Sequence, residues 1–189
     1  LKWLSQYVDI ADISADDLAE KITRAGIEVD AVIDRASGME NVVIGHVVSK
    51  EKHPEADKLN VCQVNVGNEE LQQIVCGAPN VDAGQNVIVA MPGAKLPGGI
   101  KIKKAKLRGV ENFGMICGAN EIGLADLFPT EEEGIIVDLS GFEAPAGTPV
   151  ADALGLHDMI LEIDNKSLTN RPDLWGHYGI ARELAALYD

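Results

Sequence analysis

The sequence predicts an α+β flanking domain with an all-β barrel inserted into it, and three observations carry that prediction. Each flank holds both helical and strand periodicity within about 40 residues, a length at which a core rarely supports itself without disulfides or metal. The stretch between the flanks changes to short β-like runs broken by glycine and proline, the texture of a small barrel or sandwich. Two partial cores on either side of one complete module are satisfied together if residues 1–39 and 151–189 join into one discontinuous domain around residues 40–150.

The elements follow in chain order. Leu1, Leu4 and Val8 take helical spacing, with Trp3 and Tyr7 widening the apolar stripe. Ser14 is placed to cap a second helix, whose first turn carries Asp16 and Asp17 and whose apolar face is Leu18, Ile22 and Ala25. Gly26 supplies the left-handed stop. Ile27, Val29 and Ala31 then alternate with Glu28 and Asp30, as in a half-buried strand. Strand-like runs follow at Val42–Val48, Leu59–Val66, Leu71–Cys76, Val87–Met91, Ile100–Leu107, Met115–Cys117 and Gly134–Leu139. In the last flank Met159, Leu161 and Ile163 alternate with Ile160, Glu162 and Asp164. A helix from about Asp173 presents Leu174, Tyr178, Ala181, Leu184 and Tyr188. Leu1 in place of a start methionine, and a helix still running through Ala185 to Asp189, imply a segment of a longer protein.

Composition excludes several functions. No apolar run approaches the ~18 residues of a membrane span and no leader opens the chain, so a cytoplasmic protein is expected. Cys62, Cys76 and Cys117 are odd in number and widely spaced, which fits small buried thiols and neither a disulfide framework nor a zinc site. A net charge of −14 argues against a nonspecific nucleic-acid binder with a broad basic face, so any such contact is local. One stretch is the exception: Lys95, Lys101, Lys103, Lys104, Lys106 and Arg108 fall within fourteen residues that contain no acid. Alternation directs Ile100, Ile102, Ala105 and Leu107 inward and the lysines outward, and the paired Lys103 and Lys104 imply an irregularity.

No pattern supports catalysis. Asp16 with Asp17, and Glu131 to Glu133, read as a helix start and a solvated loop. The four histidines lack metal-ligand spacing, and Leu96-Pro97-Gly98-Gly99 is a turn without the lysine and hydroxyl of a phosphate-cradling loop.

Four motifs carry a resemblance: His53-Pro54-Glu55-Ala56-Asp57-Lys58-Leu59, Ile74 to Val81, Lys103 to Val110, and Gly114-Met115-Ile116-Cys117. In that order and spacing they resemble the tRNA-binding module of phenylalanine-tRNA ligase β chains, shared with free-standing tRNA-binding proteins and synthetase appendages. Gly26 to Val29, Leu161 to Asp164 and Thr169 to Asp173 resemble the domain that this module interrupts in bacterial β subunits. The resemblance covers nearly the whole chain and implies an OB-fold barrel for residues 40–150. It further implies tRNA contact by His53, Lys58, Lys101, Lys103, Lys104, Lys106, Arg108 and Asn112, with no catalytic site and no cofactor in this segment. ATP and magnesium belong by the same resemblance to the full enzyme, with the α subunit and the remaining β-subunit domains as partners. Two departures stand out, Asn112 where relatives often carry serine and Gly118 after Cys117.

Each motif also has a plainer reading. The basic run would serve equally as a charged edge that prevents aggregation. His53 before Pro54 reads as an ordinary surface turn histidine, Asp57 as a turn former, and Gly77 to Asn80 as a tight turn. With few aromatics between residues 40 and 150, recognition by phosphate and shape is expected over base stacking. A protein-interaction scaffold and a free-standing tRNA chaperone are the alternative functions.

Overall fold

The structure, a computed structural model, describes residues 1–188 and divides into two compact units: Leu1–Ala36 with the residues from His157 onward, and Ser37–Leu156. In the first unit, α1 (Ala15–Arg24) starts where Ser14 Oγ accepts from the Asp17 amide, and ends as Gly26 takes φ +94°. Strand β1 (Val29–Asp34) follows. The numbering resumes in this unit with β9 (Met159–Ile163) and α3 (His177–Tyr188). β1 and β9 pair antiparallel, Val32 opposite Leu161, with a bulge between Val29 and Ala31 that breaks the alternation expected there. β9 keeps its alternation, with Ile160 and Glu162 exposed. Leu4, Ile10, Leu18, Ile22 and Ile27 from one end of the chain share a core with Leu168, Leu174, Ile180, Ala181 and Leu184 from the other. At about 1.5–3 kcal/mol for each large apolar side chain buried, that cluster is the main stabilising term of the unit.

Two helical expectations need correction here. The opening helix is a single 3-10 turn, Leu4–Gln6, because Leu4 is buried whereas Trp3 (68% exposed) and Tyr7 (58%) are not. α3 begins at His177, after a separate Pro172–Leu174 turn, and its inner face is Ile180, Ala181 and Leu184 with Tyr178 outside it. The expected continuation to Asp189 lies outside the described residues.

The second unit is mostly β. Its strands are β2 (Val42–Lys52), β3 (Asn60–Asn65), β4 (Gln72–Cys76), β5 (Asn86–Ala90), β6 (Ala105–Leu107), β7 (Val110–Asn112) and β8 (Met115–Ile116), followed by the short helix α2 (Val150–Ala153). Five of them form one antiparallel, barrel-like sheet in the order β4-β3-β2-β5-β8, while β6 and β7 form a separate hairpin. The long β2 produces the curl. Its first half, Val42 to His46, pairs with β5, and its second half, His46 to Lys52, pairs with β3, with a bulge between Val47 and Ser49. Gly45 sits where the partners change, and a Cβ there would lie 2.6 Å from Val89 Cγ2 and 2.8 Å from Val64 Cγ1. Val47, Cys62, Val64, Ile74, Val87, Val89 and Ile116 fill the interior.

The run Gly134–Leu139 forms no strand and contributes a single bridge, Asp138 to Val87. Residues 150–156 belong to this unit, since Val150, Ala151 and Leu156 are buried and Pro149 bridges Val43.

Candidate nucleic-acid interface

The basic run is carried by the hairpin and the irregular segment before it. Lys101 and Lys103 point outward on either side of buried Ile102, whose amide donates to the Ala94 carbonyl at 2.9 Å. Residues 102–104 take no strand conformation, the irregularity implied by adjacent lysines. The hairpin then turns at Arg108 and Gly109, with φ of +45° and +84°. Two consecutive positive φ values match the twist of a tight hairpin, but arginine pays about 1 kcal/mol or more for that conformation. The result places its guanidinium at the exposed tip.

Ala105 and Leu107 are both exposed, against the inward direction that alternation gave them, and Ile100 is 47% exposed. The cause is topological: β6 pairs with β7 alone, so neither of its faces lines the barrel.

Three side chains lock this hairpin to the barrel. Asn112 Oδ1 accepts from the Val75 amide at 2.9 Å, and Gln73 Nε2 donates to the Glu111 carbonyl at 2.8 Å, so the outer edge of β4 is used rather than left open. His53 supplies the third. It is 5% exposed; its Nδ1 accepts from the Glu55 amide at 3.1 Å and its Nε2 donates to the Leu107 carbonyl, also at 3.1 Å, across 54 residues of sequence. The surface reading of His53 is thereby corrected: both nitrogens are engaged and the ring has no face free for a base. Asn112 likewise serves the backbone, its Oδ1 engaged by the Val75 amide.

Lys58 is exposed on the turn that His53 closes, where the His53 amide donates to the Leu59 carbonyl at 3.0 Å. One buried histidine therefore holds both the Lys58 turn and the hairpin. Lys106 lies 3.9 Å from Glu111 across the hairpin, an exposed pair worth well under 1 kcal/mol. Lys104 sits 5.4 Å from the centre of the Phe113 ring. Among the described residues, Lys58, Lys101, Lys103 and Arg108 have no acidic partner within 4 Å.

Against the hairpin lies a groove of about 600 Å³ whose lining includes Ala105 and Leu107 together with Lys101, Lys103, Glu121 and Glu132. Sequence reasoning missed it, since its lining comes from four separate segments. Gly118 forms part of this wall: its amide donates to Glu121 Oε2 at 2.6 Å, and a Cβ there would stand 2.5 Å from the Ile135 carbonyl oxygen. No larger residue fits.

The cysteines offer no nucleophile at neutral pH. Burial pushes the Cys62 thiol up to about 11 and the Cys117 thiol to about 12, and raises Cys76 in the same direction. No group of three or more potential metal ligands occurs among the described residues, and no helix there is long and apolar enough to cross a membrane.

A barrel-like sheet with a locked cationic hairpin on one flank defines a module equipped to hold a polyanion. The chain belongs to the family described as "Putative tRNA binding domain", whose model matches residues 42–146. It is 55% identical, over 99% of its length, to the phenylalanine–tRNA ligase beta subunit of Staphylococcus haemolyticus, and 55% identical, over 100% of its length, to that of Staphylococcus aureus strain Mu50. The chain spans 23% of the length of these curated relatives. Among solved structures, a MetRS related protein from Pyrococcus horikoshii is 26% identical with a TM-score of 0.41, over 58% of this chain and 87% of that one.

Proposed function

We propose that the chain is the tRNA-holding, non-catalytic part of a phenylalanine–tRNA ligase β subunit, with residues 40–150 as an OB-type barrel. The residues up to 36 and from 157 onward serve as the discontinuous scaffold domain into which the barrel unit is inserted. The observation that carries the reading is the hairpin: an acidic chain confines its densest cluster of cations to one short segment and fixes that segment with three buried or half-buried side chains. A charged edge needed only for solubility has no use for such fixing. Lys101, Lys103, Lys104, Lys106 and Arg108, with Lys58 beside them, contact phosphates, the arginine able to grip two oxygens at once. His53 and Asn112 act by holding this surface in place.

In the complete enzyme the other β-subunit domains and the α subunit are the partners. ATP and magnesium serve the attachment of phenylalanine to tRNA outside this segment, in the cytoplasm. A second reading, a protein-interaction scaffold, has one observation in its favour. Both tryptophans and all three tyrosines of the chain, Trp3, Tyr7, Trp175, Tyr178 and Tyr188, are exposed in the first unit, and such residues are enriched at protein interfaces. The two readings use different surfaces.

Replacing Lys103, Lys106 and Arg108 together by alanine tests the proposal. tRNA affinity in a fluorescence titration should fall by an order of magnitude or more, while Lys21→Ala with Arg24→Ala changes it little. Unaltered affinity in the triple variant would leave the scaffold reading standing.

A further inference from the structure

We propose that the groove behind the hairpin is a pocket for one unpaired nucleotide of the bound RNA, and that it favours a base with an exocyclic amino group. This rests on the reading of the lysines as phosphate contacts and adds a base-reading site to it. At about 600 Å³ the groove falls within the range of small-ligand sites, ~300–1,000 Å³. Its lining combines three kinds of surface: the cations Lys101 and Lys103, apolar surface from Ala78, Ile102 and Met115, and the carboxylate of Glu121.

A nucleotide carries three matching parts: an anionic phosphate, an apolar ring face, and a polar base edge. With phosphate at the lysines, the ring lies against Met115, whose thioether makes favourable contact with aromatic edges and faces. The base edge then faces Glu121. One carboxylate oxygen, Oε2, is already held by the Gly118 amide, which fixes the orientation of the side chain and leaves Oε1 to accept. An ionised carboxylate only accepts hydrogen bonds, so it suits the amino group of cytosine, adenine or guanine and opposes the carbonyl edge of uracil. Bases that are unstacked in loops or at ends are the ones proteins can draw out and read in this way.

Two measurements on the whole chain test this. The first follows the Met115 methyl resonance, carbon-labelled, during titration with short oligocytidylate or oligouridylate. The signal should shift with the former at several-fold lower concentration, and Glu121→Gln should narrow that difference. The second fills the groove from exposed loop positions with Asn120→Trp or Thr130→Trp, leaving every lysine in place. With an unchanged thermal midpoint, either variant should bind tRNA about ten-fold more weakly, the scale of one lost base contact, with its salt dependence unchanged. If tRNA binds through the lysines while Met115 stays silent and both filled variants bind like wild type, the pocket is refuted and the phosphate reading survives. A wild-type chain that fails to bind tRNA at all would overturn both.

Discussion

His53→Ala is the perturbation whose consequences the structure defines most closely. The substitution deletes a ring that is 5% exposed together with its two hydrogen bonds, to the Glu55 amide and the Leu107 carbonyl. Each such bond contributes about 0.5–1.5 kcal/mol net, and the vacated ring volume adds roughly 1–2 kcal/mol of lost packing. The variant should therefore be about 2–5 kcal/mol less stable, read as a lower midpoint in urea unfolding followed by circular dichroism. Location matters more than magnitude. Because the bond to Leu107 ties down the hairpin, amide hydrogen exchange should accelerate at residues 105–112 beyond the change in β2 and β3, and tRNA affinity should fall although the ring is buried with both nitrogens engaged. His53→Gln, which keeps one side-chain N–H donor, should recover part of both effects. A His53→Ala protein of wild-type stability with unaltered protection in the hairpin would refute the assignment of this residue as the common anchor.

Gly118→Ala should destabilise the barrel by about 1–3 kcal/mol in the same unfolding assay, since its Cβ would meet the Ile135 carbonyl oxygen at 2.5 Å. Because burial raises the thiols in the folded state, their contribution to stability is complete below the ordinary value of about 9 and declines as pH rises toward 11 and 12. Alkaline unfolding in that window should diminish in Cys62→Ala relative to wild type, once both are normalised at pH 7, and all three thiols should resist a thiol reagent until the barrel opens. Asp82 carries the opposite sign. Its hydrogen bond to Lys50 lowers its folded value, so its contribution is present above the ordinary carboxylate range and is lost as pH falls below it. Asp82→Asn should flatten the acid limb of the pH–stability curve below about pH 4.

What could be read in the sequence was what nearest neighbours decide. Ser14 caps α1 and Gly26 ends it because both jobs are done within one turn of chain, and the alternation of β9 survives because one side of that strand is half-buried along its whole length. The same reasoning failed where the deciding partner is remote. Ala105 and Leu107 alternate like barrel residues, yet β6 never joins the barrel, and only sheet topology carries that information. Trp3 and Tyr7 widen an apolar stripe in sequence but meet no core to bury it, so the opening helix shrinks to one turn. Gly134–Leu139 has strand composition, but Val87 offers it a single bridge. The candidate interface divides in the same way. The cations were legible as a run without acids. The burial of His53, the backbone role of Asn112 and the groove were not, because each depends on contacts made across tens of residues.

The slope of tRNA affinity with salt tests the central claim most directly. If about three of the hairpin cations displace counterions from phosphates, log affinity should fall with log salt at a slope of roughly −2 to −3, taking ~0.7 to 0.9 counterions released per contact. The Lys103→Ala, Lys106→Ala, Arg108→Ala variant should flatten that slope and remove most of the affinity. A wild-type slope near zero, or a steep slope that survives in the triple variant, would contradict the account.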